Sequence, residues 1–288
     1  MIKVAVIAPI PLLTKYASQS DNYHLLLSNL FHSPEYVNFY RERSEAGDFI
    51  LLDNSAHELG HGEGFDELER KILQVQPSEV VVPDRLFFGE DTLENAMEFI
   101  PQFRDKFGQS IKLLGVPQGR TLEEWTDCLE GLLKLGVNSI GISKDYEVWP
   151  GGLQDLAWEV DSVARQTHHL RDEDVQIHML GWGRDLHQIT TFEQFNSEST
   201  CSCIRGVDSA KPLVFAEAGI NLNKELLVLK KKSVKYPKRP GKFFDFTEGE
   251  ISSSLGDLNI QVMKDLVSGN VMKNPSYNQH FEDTTPLL

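Results

Sequence analysis

Residues 49–56 read FILLDNSA: an unbroken apolar run that stops at Asp53 and Asn54. A strand buried on both faces needs a continuous apolar run rather than alternation, and strands of that kind belong to parallel sheets covered by helices. The same pattern recurs in both directions along the chain. Apolar runs end at Asp84-Arg85 in VVVPDRL (80–86), at Gln118-Gly119 in LLGVPQG (113–119) and at Ser143-Lys144 in IGISK (140–144). They end again at Gly183-Arg184 in MLGWGRD (179–185) and at Asp208-Ser209 in IRGVDSA (204–210). Strands are predicted over 3–8, 49–52, 79–82, 111–115, 139–142, 176–180 and 202–207. An eighth is expected around 213–215.

Segments with helical spacing separate these runs. Over 121–134, Leu122, Trp125, Leu129, Leu132 and Leu133 fall on one face, and over 153–167 the stripe is Leu156, Ala157, Val160, Val163 and Ala164. Alternating strands and helices predict an α/β fold of one domain, a TIM (β/α)8 barrel over 1–270 with a tail over 271–288. An open doubly wound sheet is the alternative. In a barrel, every strand end opens onto one face, so Asp53, Asn54, Asp84, Gln118 and Asp208 converge on one pocket mouth, although each of these residue types also suits a helix N-cap.

Of the 288 residues, 40% are hydrophobic and 25% charged, an ordinary globular balance. No apolar run reaches the roughly 18 residues of a membrane span, so no membrane partner is expected. The opening MIKVAVIAPIPLL lacks the features of a signal peptide and suits a first strand. Three cysteines make no disulfide framework and fit a reducing cytoplasm. A net charge of −15 argues against nonspecific coating of nucleic acid, which needs many cations to neutralise phosphates. A local basic stretch nevertheless lies over 230–242, with Lys235, Lys238 and Arg239 at its centre.

The ordered series of strand ends resembles the tRNA-guanine transglycosylase superfamily, and is most similar to its DNA-modifying branch, the DpdA family of phage and bacterial proteins. DNSA at 53–56 stands where that family has Asp-Ser-Gly-Gly, VVPD at 81–84 resembles its base-binding segment, and GVPQG at 115–119 its Gly-Ile-Val-Gln-Gly. IGIS around Gly141 is similar to its glycine-rich segment, MLGWG at 179–183 to Leu-Met-Gly-Val-Gly, and GVDSA at 206–210 to the nucleophile segment Phe-Asp-Ser-Ala. The resemblance implies exchange of guanine in DNA for a 7-deazaguanine base, such as the 7-cyano derivative, with no cofactor. Asp208 is then the nucleophile and Asp53 the acid/base partner. Asp84, Gln118, Gly141, Leu180 and Asn54 would surround the base.

The implied chemistry meets a physical requirement. Breaking an N-glycosidic bond with retention needs two carboxylates, one to attack the anomeric carbon and one to move protons. A guanine edge offers two donors and one acceptor, which Asp84, Gln118 and the Gly141 N–H can match. The target base must be flipped out or single-stranded. Arg205, Lys211 and the 230–242 stretch are candidates to hold the flanking phosphates.

Two departures and three rival readings accompany the resemblance. The family's transfer-RNA enzymes carry a cysteine-rich zinc site after the nucleophile strand; here Cys201 and Cys203 precede Asp208, which predicts strand cysteines without a metal. The second glycine of the first segment is Ala56. Transfer RNA is the alternative acceptor. HELGH at 57–61, with Gly64 and Glu67 beyond it, formally matches a zinc-protease motif, but its glycines favour a loop over the pocket. The third alternative is a barrel that binds nucleic acid or protein without catalysis.

Overall fold

The computed structural model describes residues 1–170, 173–181, 191–223 and 243–269. Eight parallel strands are present: β1 (Lys3–Val6), β2 (Tyr23–Leu27), β3 (Phe49–Asp53), β4 (Glu79–Val81), β5 (Lys112–Gly115), β6 (Ser139–Ser143), β7 (Val175–Leu180) and β8 (Ser202–Ser209). Their order is β1-β8-β7-β6-β5-β4-β3-β2, and β1 and β2 lie against each other. This is a single-domain α/β TIM barrel. The helices between the strands are α1 (Pro34–Glu45), α2 (Phe65–Val75), α3 (Gly89–Phe107), α4 (Leu122–Lys134), α5 (Gly152–Gln166) and α6 (Phe192–Glu198). After β8 come α7 (Lys211–Glu217) and α8 (Ser253–Val267). Among the described residues no helix is long and apolar enough to cross a membrane.

The helical stripes do what their spacing predicts. Trp125, Leu129, Leu132 and Leu133 of α4 are buried, while Leu122, one residue past the N-cap, stays exposed. Thr121 caps that helix by accepting the Glu124 N–H at 3.2 Å, and Ser33 caps α1 in the same way. In α5, Leu156, Ala157, Val160, Val163 and Ala164 all face the core.

Two expectations are corrected. Residues 213–215 belong to α7, not to a strand: Leu213, Val214 and Phe215 are buried because α8 covers the short helix, and Asn259 of α8 bonds the carbonyls of Pro212 and Ile220. The strand missing from the sequence reading is β2. No strand ladder joins β1 to β2 among the described residues; at this seam the buried Ser20 hydroxyl accepts the Val6 N–H at 2.9 Å.

The barrel interior carries polar groups in its lower half. Arg205 is the extra residue of a β-bulge: Ile177 pairs with Ile204 and His178 with Gly206, so Arg205 has no opposite number in β7. The bulge turns both Arg205 and Gly206 toward Tyr23, whose hydroxyl accepts from Arg205 Nε at 3.2 Å, while a Cβ at Gly206 would lie 2.6 Å from the ring. The guanidinium forks onto the fully buried Glu79 and donates to Ser139. Arg205 is therefore committed to an interior ion pair and is not a phosphate contact. Replacing it with Met would leave Glu79 charged and unpaired, an expected loss of about 3–5 kcal/mol. Urea unfolding of Arg205→Met should show that loss, and the double change with Glu79→Leu should recover most of it.

Candidate active site

The upper half of the barrel opens into a cleft of about 590 Å³, counting space open to solvent. Asp53, Asn54, Asp84, Gln118, Leu180 and Asp208 all line it, with Leu25, Leu27 and Val116 as apolar wall. The strand ends put them there: Asp53 closes β3, Asp208 sits one residue from the end of β8, and Asp84 and Gln118 follow β4 and β5.

Asp53 is aimed by a strained turn. Ser55 adopts a left-handed backbone at φ 56°, a conformation that costs a non-glycine residue about 1 kcal/mol or more. Hydrogen bonds hold it: Ser55 N–H donates to Asp53 Oδ2 at 3.0 Å, Ala56 N–H to Asn54 Oδ1 at 2.9 Å, and Asn29 N–H to Ser55 Oγ at 3.1 Å. Burial pushes the Asp53 carboxyl well above the usual carboxylate range, and the neighbouring charges of Glu58 and Asp84 push it the same way. Asp53 thus keeps a proton that an isolated aspartate would have lost.

Asp84 is gripped by amides. Asn54 Nδ2 donates to one of its oxygens at 2.8 Å and Gln118 Nε2 to the other at 2.6 Å. Asn54 also donates to the Val82 carbonyl, and Gln118 Oε1 accepts from the Phe87 N–H and the Tyr146 hydroxyl. Asn54 is therefore spent on shaping Asp84, whereas Gln118 retains a second amide hydrogen. Burial lifts Asp84 from 3.8 to about 6, even though both amides pull it down. Folded Asp84 thus holds its proton more tightly than the unfolded chain does. Its stabilising contribution is full below about pH 4 and is lost as pH rises through about 6, on the order of 3 kcal/mol. Asp84→Asn is expected to remove that slope from urea-unfolding free energies measured across the window.

Asp208 is held differently. Its Oδ1 accepts from the Gly181 N–H at 2.9 Å and faces His178 Nε2 at 3.1 Å, while Oδ2 receives no hydrogen bond among the described residues. The two carboxyls of the proposed pair thus share one cleft in unlike settings. Asp53 is pressed toward its acid form, whereas Asp208 accepts the Gly181 N–H through Oδ1.

Other residues named from the sequence lie elsewhere. Gly141 is not in the cleft wall; a Cβ there would meet Leu114 and Leu180 at 2.7 Å, so the glycine lets those side chains close the floor. Lys211 is buried at the start of α7, its ammonium 5.5 Å from the Phe215 ring centre, and offers no surface to a phosphate. Lys235, Lys238 and Arg239 fall outside the described residues, as do the rest of the 230–242 stretch and the 271–288 tail. Lys144, Glu58 and Gly181 line the cleft without having been named as site residues, and His178 lies buried beneath it, against Asp208. Lys144 directly follows the β6 end and packs its chain against Gly181.

The HELGH segment forms one helical turn, Ala56–Leu59, which Gly60 ends in a left-handed conformation at φ 84°. His57 and His61 therefore do not share a helix face: His57 lies 3.5 Å from Asp145, and His61 bonds the Gly62 carbonyl. Gly62 donates to the Asp84 carbonyl at 2.9 Å and packs so closely that a Cβ would meet the Asp84 nitrogen at 2.8 Å. The segment is a loop over the cleft, and the protease reading loses its geometry. Among the described residues no group of three His, Cys, Asp or Glu side chains is placed to hold a metal ion. Cys203, the β8 thiol, donates to Gln176 at 3.3 Å and is kept protonated by burial, and Cys128 lies in α4.

Neither family models nor curated proteins give a match to this chain. Among solved structures, it is similar to 2,3-dimethylmalate lyase, a member of the PEP mutase/isocitrate lyase superfamily, at 12% identity and TM-score 0.40, covering 93% of this chain and 94% of that one. A catalytic-lysine mutant of Ruminococcus gnavus sialic acid aldolase shows 8% identity and TM-score 0.29, with 93% and 97% covered.

Proposed function

We propose that this protein exchanges guanine in DNA for a 7-deazaguanine base through a covalent bond between Asp208 and the sugar. The observation that carries the proposal is the pairing of Asp53 and Asp208 in one cleft, one carboxyl proton-retaining and the other held by hydrogen-bond donors through a single oxygen. Retaining chemistry at an anomeric carbon asks for that asymmetry. Asp208 Oδ2 attacks C1′, the C1′–N9 bond breaks, and Asp53 gives its proton to the departing guanine. The incoming base then loses its N9 proton to Asp53 and attacks C1′, releasing Asp208.

Asp84 accepts from the guanine N1–H and amino group, Gln118 donates to O6, and Leu180 packs on the ring. The carboxyls of Asp53, Glu58, Asp84 and Asp208 suit the positive charge that develops on the sugar, and oppose a phosphate within the cleft. Lys144 is the cleft-lining cation among the described residues and takes the phosphate-holding part expected of Arg205 and Lys211.

The test is to incubate single-stranded and duplex DNA with the protein and 7-cyano-7-deazaguanine, then digest to nucleosides for mass spectrometry. Incorporation of the deazapurine with release of guanine supports the reading. Transfer RNA serves as the second acceptor. Unmodified DNA and tRNA alongside intact DNA binding would sink exchange in favour of a non-catalytic barrel.

A further inference from the structure

Below Asp208 a chain of hydrogen bonds runs through the barrel interior to the opposite end. His178, with no exposed surface, faces Asp208 Oδ1 with Nε2 at 3.1 Å and the Tyr23 hydroxyl with Nδ1 at 2.7 Å. Tyr23 in turn meets Arg205 Nε at 3.2 Å, and Arg205 is anchored on Glu79, which also accepts from Ser139 at 2.6 Å. Five strands, β2, β4, β6, β7 and β8, contribute one side chain or more to this column.

The direction of every proton in the column follows from its lower end. A guanidinium Nε–H can only donate, so the Tyr23 oxygen accepts from it. Tyr23 has a single hydrogen, and burial holds that hydroxyl protonated by raising its pKa. With the Arg205 contact fixed, that hydrogen points at His178 Nδ1. Nδ1 is then an acceptor without a proton, and the ring proton resides on Nε2, aimed at Asp208. Reversing any link would set two donors or two acceptors against each other inside a closed interior, where an unmatched polar group is costly.

We propose that His178 is a positioning residue, fixed by Tyr23 and Arg205 as the neutral Nε2–H tautomer, which ties down Asp208 Oδ1 and presents Oδ2 to the reacting sugar. The proposal deepens the reading of Asp208 as nucleophile and rests on it. Asp208 Oδ1 takes both described hydrogen bonds, from Gly181 and His178, so rotation about the carboxyl is blocked and the unbonded oxygen is the one left for attack. A ring whose Nε2 already carries hydrogen cannot take a proton from substrate at that atom. His178 therefore does not compete with Asp53 for the acid/base part. Gly206 belongs to the same device, since its missing side chain is what lets the Tyr23 ring stand where it does.

The decisive experiment is nitrogen NMR of the full-length protein labelled with 15N-histidine, the His178 signals being assigned with His178→Gln. The expected wild-type signature is a pyrrole-type, proton-bearing Nε2 and a pyridine-type Nδ1. Tyr23→Phe, which keeps the ring stacked on Phe49, is expected to blur that signature into mixed tautomers. The same variant should lower the turnover of base exchange roughly 10- to 100-fold with KM for the incoming base unchanged. His178→Gln, which retains a donor at that point, should keep more turnover than His178→Leu. An Nδ1–H tautomer or an imidazolium in the wild-type protein overturns the proposal, as does an unaltered His178 signature in Tyr23→Phe. The NMR result does not depend on any substrate, so failure of guanine exchange would be told apart from failure of the column.

Discussion

Asp208→Asn is expected to abolish base exchange, lowering turnover by roughly 10⁴- to 10⁶-fold, as removal of a covalent nucleophile does. The substitution is nearly isosteric and leaves Gly181 and His178 in place, so a folded protein with an intact cleft is the anticipated product. What disappears is the ability to form an ester with C1′. Denaturing electrophoresis of the protein with DNA, stopped during turnover, should show a retarded covalent species for the wild type and none for Asp208→Asn. A variant that still forms the adduct would place the nucleophile elsewhere, and adduct formation through Asp53 would reverse the two assignments.

The second large effect is expected at Asp53. Asp53→Asn should cost roughly 10²- to 10⁴-fold, the usual contribution of a positioned general acid/base. Its identity as a proton donor can be separated from a role in binding. Guanine methylated at N7 departs as a neutral base without needing a proton, and a site that takes 7-substituted deazapurines must leave room at that position. Asp53→Asn is therefore expected to regain most of its rate of base release on 7-methylguanine DNA, whereas Asp208→Asn regains none. The pH profile carries the same information: because the Asp53 carboxyl is pushed well above the ordinary range, wild-type base release should fall as pH rises through its titration, and Asp53→Asn should lack that limb. Equal losses on both substrates would remove Asp53 from proton transfer.

The strand runs that end in polar residues were legible because burial on both faces demands apolar continuity. The seven runs proposed from sequence correspond to β1 and β3 through β8. β2 was hidden because its first residues, Tyr23 and His24, follow the polar turn SQSDN, and LLLSNLF after them can pass for a helical stripe. The misassigned eighth strand shows the converse: a short helix covered on all sides loses its amphipathic signature and looks like a buried strand. Among the cleft residues, Asp53, Asn54, Asp84, Gln118, Leu180 and Asp208 were accessible because strand ends of a barrel converge. His178, buried beneath the cleft, was not: β7 reads VQIHML with two polar residues, Gln176 and His178, and the two-residue spacing of His178 from Leu180 was the available sign that both face inward. Arg205 was misplaced because a bulge breaks the two-residue alternation at that point, and no local feature of IRGVDSA announces it.

The seam between β1 and β2 makes this barrel resemble a hoop fastened by a clasp. Most neighbouring strands are zipped along their length, but here a serine hydroxyl does the fastening, and three residues further on the Tyr23 phenol at the head of β2 reaches His178. Warming should slacken the clasp before it unzips any strand pair, letting Tyr23 drift from His178 while the far-ultraviolet circular dichroism is still native. Heat inactivation is thus expected to precede global melting, with the Val6 amide exchanging deuterium earlier than amides of β6. Coincident inactivation and melting curves would show that the clasp is as firm as the rest of the hoop.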